Sequence, residues 1–137
     1  MVMYILDTNM VSYIVKGRSL AASDQLINLS SNEVAAVSAI TVAEIRYGLA
    51  KKPEATALKS LMDSFLASIQ VLAWGTDEAE VYGTIRAKLE KKGITLGNMD
   101  MMIAAHAIVN KATLVTNDKA FAQVDELSSP VNWATDL

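Results

Sequence analysis

The sequence contains no cysteine, one histidine (His106) and two prolines in 137 residues. Without cysteine there are no thiol nucleophiles, redox pairs, Fe–S clusters or Cys-based zinc sites. A single imidazole excludes any mechanism built on two, whether a paired-His ribonuclease or a multi-His zinc centre. Long hydrophobic runs are also missing. No segment approaches the ~18–20 apolar residues a membrane span requires, and the apolar start at 1–6 has no basic stretch before it and runs straight into Asp7. These absences predict no membrane association and a reducing compartment, with the cytoplasm as the expected location.

With 52% apolar and 20% charged residues, the composition is that of a globular domain. A chain of this length buries roughly 68–70% of its unfolded surface, enough to fold without a staple. No repeat, low-complexity tract or linker interrupts it, so residues 1–137 are read as a single domain.

Short apolar runs alternate with segments of helical period along the chain. Strands are expected at 3–6, 33–38, 70–74 and 112–116, with a possible edge strand at 131–133. Helices are expected at 9–16 (stopped by Gly17), 20–29, 41–50, from Pro53 with a buried stripe of Leu58, Leu61, Met62, Phe65, Leu66 and Ile69, from Thr76 or Asp77 to Lys92, and from an Asn98 cap to about 110. A helical turn follows Asp118. Hairpin dipeptides are absent between the strands. The expected fold class is therefore α/β, a three-layer α/β/α sandwich around a mostly parallel sheet of four to five strands. In such sheets ligands bind beyond the carboxyl ends of the strands.

Four acids stand near those ends: Asp7, Glu44, Asp100 and Asp118. Each alone has a simple explanation. Asp7 and Asp118 suit helix N-caps, Thr41-x-x-Glu44 matches a capping box, and Asp100 complements the positive end of its helix. Together they would crowd negative charge at one sheet edge, which raises carboxyl pKa values and costs stability unless a cation intervenes. An all-oxygen donor set selects Mg²⁺ or Mn²⁺ over zinc. At helical spacing Asp100 shares a face with the apolar Ile103, Ala104 and Ala107, while His106 lies off that face and is read as a hydrogen-bonded helix histidine.

The set Leu6-Asp7-Thr8-Asn9, Thr41-x-x-Glu44, Gly97-Asn98-Met99-Asp100 followed by Ile103-Ala104-Ala105-His106-Ala107, and Thr116-Asn117-Asp118-x-x-Phe121 resembles the PIN-domain ribonucleases over essentially the whole chain. Within them it is most similar to the VapC toxins of bacterial toxin–antitoxin pairs. The resemblance implies a magnesium-dependent endoribonuclease that cuts structured RNA, commonly tRNA and plausibly initiator tRNA, to inhibit translation. It implies catalytic and metal-ligating roles for Asp7, Glu44, Asp100 and Asp118, with support from Thr8, Asn9 and Thr116. It also implies a VapB-type antitoxin partner and a homodimer. Met99 departs from the polar residue many members carry before the third acid, a difference that bears on substrate fit.

The net charge of −3 argues against general nucleic-acid affinity, but leaving out the four acids leaves 12 basic residues against 11 acidic ones. Lys16, Arg18, Arg46 and the Arg86-Lys88-Lys91-Lys92 cluster are the candidate RNA contacts, although the cluster also suits a solvated helix face. Two other readings stand beside the nuclease. One is an aspartyl-phosphate phosphatase or phosphotransferase with Asp7 as nucleophile, weakened by Asn9 at the position of the expected second Asp. The other is a non-catalytic interaction module whose acids only cap helices.

Overall fold

In the computed structural model, which describes residues 1–137, four strands form one parallel sheet: β1 (Val2–Leu6), β2 (Glu33–Ser38), β3 (Gln70–Leu72) and β4 (Thr113–Val115), in the order β3-β2-β1-β4. Six helices connect and cover them: α1 (Thr8–Val15), α2 (Leu20–Ile27), α3 (Ala39–Ala50), α4 (Thr56–Ser68), α5 (Thr76–Lys91) and α6 (Asn98–Val109), with a 3₁₀ turn at Lys119–Gln123. The strands alternate faces as the period-2 rule requires. Ile5 and Leu114 point into a core shared with Ile85 and Leu89 of α5 and Ile103 and Ala107 of α6. Leu6, Val37 and Val115 point the other way, onto Met10 and Val11 of α1, Ala22 of α2, Ile45 of α3 and Met62 of α4. This is the three-layer sandwich the sequence predicts.

Several boundaries differ from the expectation. The fifth strand reduces to one parallel bridge, Val115 to Val131. β3 stops at Leu72, and Trp74 turns its indole N–H onto the Met102 carbonyl at 3.0 Å. Pro53 lies in the turn before α4, and Leu61 is exposed rather than part of the stripe. α6 is capped at Gly97 rather than Asn98. The helix expected at 41–50 starts two residues earlier, because Ser38, not Thr41, accepts the first free amide through its side chain. Thr41 and Glu44 therefore lie inside α3 and form no capping box, which frees Glu44 for another role. Gly17 and Gly93, at φ +67° and +71°, end α1 and α5 as expected, in the left-handed region that favours glycine.

Candidate active site

The direction of connection reverses at β1, which has β2 on one side and β4 on the other. Crevices at such reversals, beyond the carboxyl ends, are where open α/β sheets bind ligands. Asp7 follows β1 directly and Thr116 follows β4 directly. The Asp7 amide donates to the Val115 carbonyl at 3.0 Å, which holds the two strand ends together. One Asp7 oxygen accepts from the Met10 amide at 2.8 Å and caps α1; the other accepts the Thr116 hydroxyl. The capping explanation for Asp7 is thus correct as far as it goes, and it leaves the carboxylate facing the pocket.

That pocket, about 210 Å³, is lined by Asp7, Thr8, Asn9, Glu44, Asp100, Asp118 and Phe121. All four acids singled out in the sequence therefore meet in one place. Glu44 reaches it from the second turn of α3 and accepts the Thr8 hydroxyl at 2.6 Å. Thr41 Oγ1 lies 3.1 Å from the same hydroxyl. Thr8 has one proton to give, so Thr41 must supply the proton of that second contact. Asp100 stands in the first turn of α6. A Cβ on Gly97 would come to 3.4 Å from Asp100 Oδ2, an ordinary contact distance, so the carboxylate lies directly beside the start of its own helix. Asp118 accepts from the Ala120 amide at 2.9 Å, and its own amide donates to Thr116 Oγ1 at 3.0 Å. Thr116 links both strand-end acids.

Burial raises the Asp7 pKa to about 6, outweighing the Thr116 and Met10 hydrogen bonds that lower it, and the charges of Asp100 and Asp118 add smaller upward pushes. Asp100 is also raised, by burial and then by the charges of Glu44 and Asp118. Every salt bridge in the molecule lies elsewhere: Asp63, Glu90, Glu126 and Asp125 hold Arg46, Lys59, Arg86, Lys88 and Lys92, and none of the four pocket acids has a cationic partner. No three of the acids are drawn close enough to grip one ion as they stand, as like charges without a counter-ion would arrange themselves. The donor set still fits a hard divalent cation: oxygen only, four carboxylates, uncompensated charge.

The basic residues are sorted less as expected. Lys16 lines a groove that adjoins the pocket through Thr8 and Glu44 and also contains Lys51 and Lys52, two lysines that no sequence pattern singles out. Arg18 lines neither cavity, and Arg46 and Arg86 are engaged elsewhere, Arg46 with Asp63 and Arg86 with Glu90 and the Tyr82 hydroxyl. His106 is away from the acids, buried against Ser38.

Residues 4–127 match the family model described as PIN domain. The Ribonuclease VapC2 of Rickettsia felis is 36% identical over 131 residues, covering 95% of this chain and 97% of that protein. The tRNA(fMet)-specific endonuclease VapC of Salmonella typhimurium is 31% identical over 118 residues, covering 86% of this chain and 88% of the relative. The crystal structure of VapBC2 from Rickettsia felis bound to a promoter DNA fragment aligns with a TM-score of 0.85 at 35% identity, covering 91% of this chain and 95% of that one. The chain belongs to the PIN domain family, in its VapC branch.

Proposed function

We propose that this chain is the ribonuclease toxin of a VapBC pair, hydrolysing phosphodiester bonds of structured RNA, with tRNA as the substrate class and initiator tRNA as the first to test, and so halting translation. One observation carries the reading: four carboxylates from four separate elements share one pocket, and none has a cationic partner. The Salmonella relative, named for tRNA(fMet), supports the choice of substrate.

Asp7, Glu44, Asp100 and Asp118 would hold Mg²⁺ or Mn²⁺. A divalent ion there activates water, offsets charge building on phosphorus and eases departure of the alkoxide. The chain's own residues keep the ligands in place. Thr116 orients Asp7, Thr8 orients Glu44, and the α1 amide at Met10 fixes the remaining Asp7 oxygen. Asn9, exposed at the rim, is positioned to meet the substrate. Asp7 is only 4% exposed and engages both oxygens in hydrogen bonds, which disfavours its attack on a phosphate as the aspartyl-phosphate alternative requires. A VapB-type antitoxin would silence the site most directly by bringing an Arg among the acids, since the guanidinium fork matches carboxylates.

The test is cleavage of a total tRNA pool. The pocket offers four carboxylates and no imidazole, and with those acids engaged by a divalent ion water is the expected nucleophile, so the products carry 5′-phosphate and 3′-hydroxyl ends. Activity is lost in EDTA, restored by Mg²⁺ or Mn²⁺, and absent in Asp7→Ala. A 2′,3′-cyclic phosphate, or full activity in EDTA, would rule the reading out.

A further inference from the structure

His106 is 1% exposed in the last turn of α6, six residues beyond Asp100. Its Nδ1 lies 2.8 Å from the Ser38 hydroxyl. Its Nε2 faces the Glu78 carboxylate, with Oε1 at 3.5 Å. Burial lowers the pKa of the imidazole and so favours its neutral form. The Glu78 carboxylate beside Nε2 favours the proton there. Nδ1 then accepts from the Ser38 hydroxyl, whose oxygen in turn accepts the Ile40 amide at 3.0 Å. The polar contacts thus run in one direction, from the start of α3 through Ser38 and His106 to Glu78. Glu78 is itself tied down, its other oxygen accepting the Gly75 amide at 3.1 Å.

The ends of this chain matter for the pocket. Ser38 closes β2 and caps α3, the helix that carries Glu44. His106 belongs to the helix that begins with Asp100. The loop between β3 and α5 grips α6 at the Met102 carbonyl through Trp74, and Glu78 in the first turn of α5 lies against His106. Side chains that hold metal ligands in orientation are commonly worth 10–100-fold in affinity or activity. We propose that His106 is a positioning residue of the carboxylate pocket: with Ser38 and Glu78 it locks α6, and so Asp100, at a fixed setting against the start of α3, and so Glu44. The inference rests on the metal site proposed above.

The experiment is Mn²⁺ titration of the full chain followed by electron paramagnetic resonance, with thermal melting alongside. Ser38→Ala removes one oxygen and is the mildest break; His106→Leu removes both ring nitrogens. Each is expected to weaken Mn²⁺ binding about tenfold, and the double variant should be no weaker than His106→Leu alone. Ser38→Thr restores the hydroxyl and should bind as the natural chain does, while His106→Asn, which still offers an acceptor to Ser38, should recover part of the loss. Leu89→Ala cuts into the same core on α5 without touching these hydrogen bonds, and should lower the melting temperature with Mn²⁺ affinity unchanged. Unaltered Mn²⁺ affinity in Ser38→Ala and His106→Leu, or an equal loss in Leu89→Ala, would overturn the positioning role. If the natural chain binds no Mn²⁺, the metal site itself falls, and this inference with it.

Discussion

Asp7 joins a capping role and a pocket role in one carboxylate, and its raised pKa makes the conflict measurable. Its folded-state value of about 6 lies above the ordinary 3.8, so between these pH values the folded chain binds more protons than the unfolded one. Stability therefore falls as pH rises through that window, by on the order of 2–3 kcal/mol for the Asp7 contribution. His106 acts in the opposite sense, since burial lowers its pKa and acid costs stability there. Comparison with Asp7→Asn isolates the carboxylate. In EDTA the natural chain should lose urea resistance relative to Asp7→Asn between pH 3.8 and about 6, the range spanned by the two pKa values, and millimolar Mg²⁺ above that range should close the gap. Parallel pH profiles for the two proteins would refute the argument. Asp100→Asn removes another of the crowding charges and should abolish cleavage while leaving the melting temperature of the metal-free chain equal or higher.

Among the elements, α3 depends most on the pocket's polar contacts, because its Thr41 and Glu44 both lean on the Thr8 hydroxyl of α1. Thr8→Val preserves shape and deletes that hydroxyl, leaving Glu44 without its donor. The expected result is a loss of about 1 kcal/mol in urea denaturation together with a severalfold higher Mg²⁺ requirement for cleavage; an unchanged Mg²⁺ requirement would refute it. The four acids were legible in the sequence because each sits one to six residues beyond a strand or in the first turn of a helix, where local patterns are strong. The start of α3 was not. Ser38-Ala39-Ile40-Thr41 offers two capping residues, and only the end of β2 decides between them. Nor was the setting of His106 legible: helical periodicity assigns α6 one buried face, but α6 is packed on several sides and its Met101, Ile103, Ala104, Ala105, His106 and Ala107 are all buried. Arg46 pairs with Asp63 and Lys88 with Glu126 across 17 and 38 residues of sequence, separations at which no local pattern identifies partners.

Over the whole molecule, negative charge is concentrated in the pocket and free positive charge lies beside it. Lys16 at the end of α1 and Lys51 and Lys52 at the end of α3 line the groove leading to Glu44, and none of the three has a carboxylate partner; Lys51 instead lies 4.5 Å from the Tyr47 ring centre. On the far side of the acids, Lys119 lines a second depression with Asn117, Asp118 and Asn132. An RNA strand laid from one depression to the other would cross the four carboxylates with its flanking phosphates on lysines. The Arg86, Lys88 and Lys92 face, whose charges are already matched by Glu90, Glu126 and Asp125, would stay clear of it. Each phosphate contact on single-stranded nucleic acid contributes about 0.7 to the salt slope of binding. Replacing Lys16, Lys51 and Lys52 with Gln together should therefore reduce the slope by about 2, raise KM for tRNA at least tenfold and leave kcat nearly unchanged. The matching triple replacement of Arg86, Lys88 and Lys92 should alter neither. Equal losses from the two sets would mean that RNA responds only to the overall charge of the chain, and a larger loss from the second set would move the substrate to the α5 face.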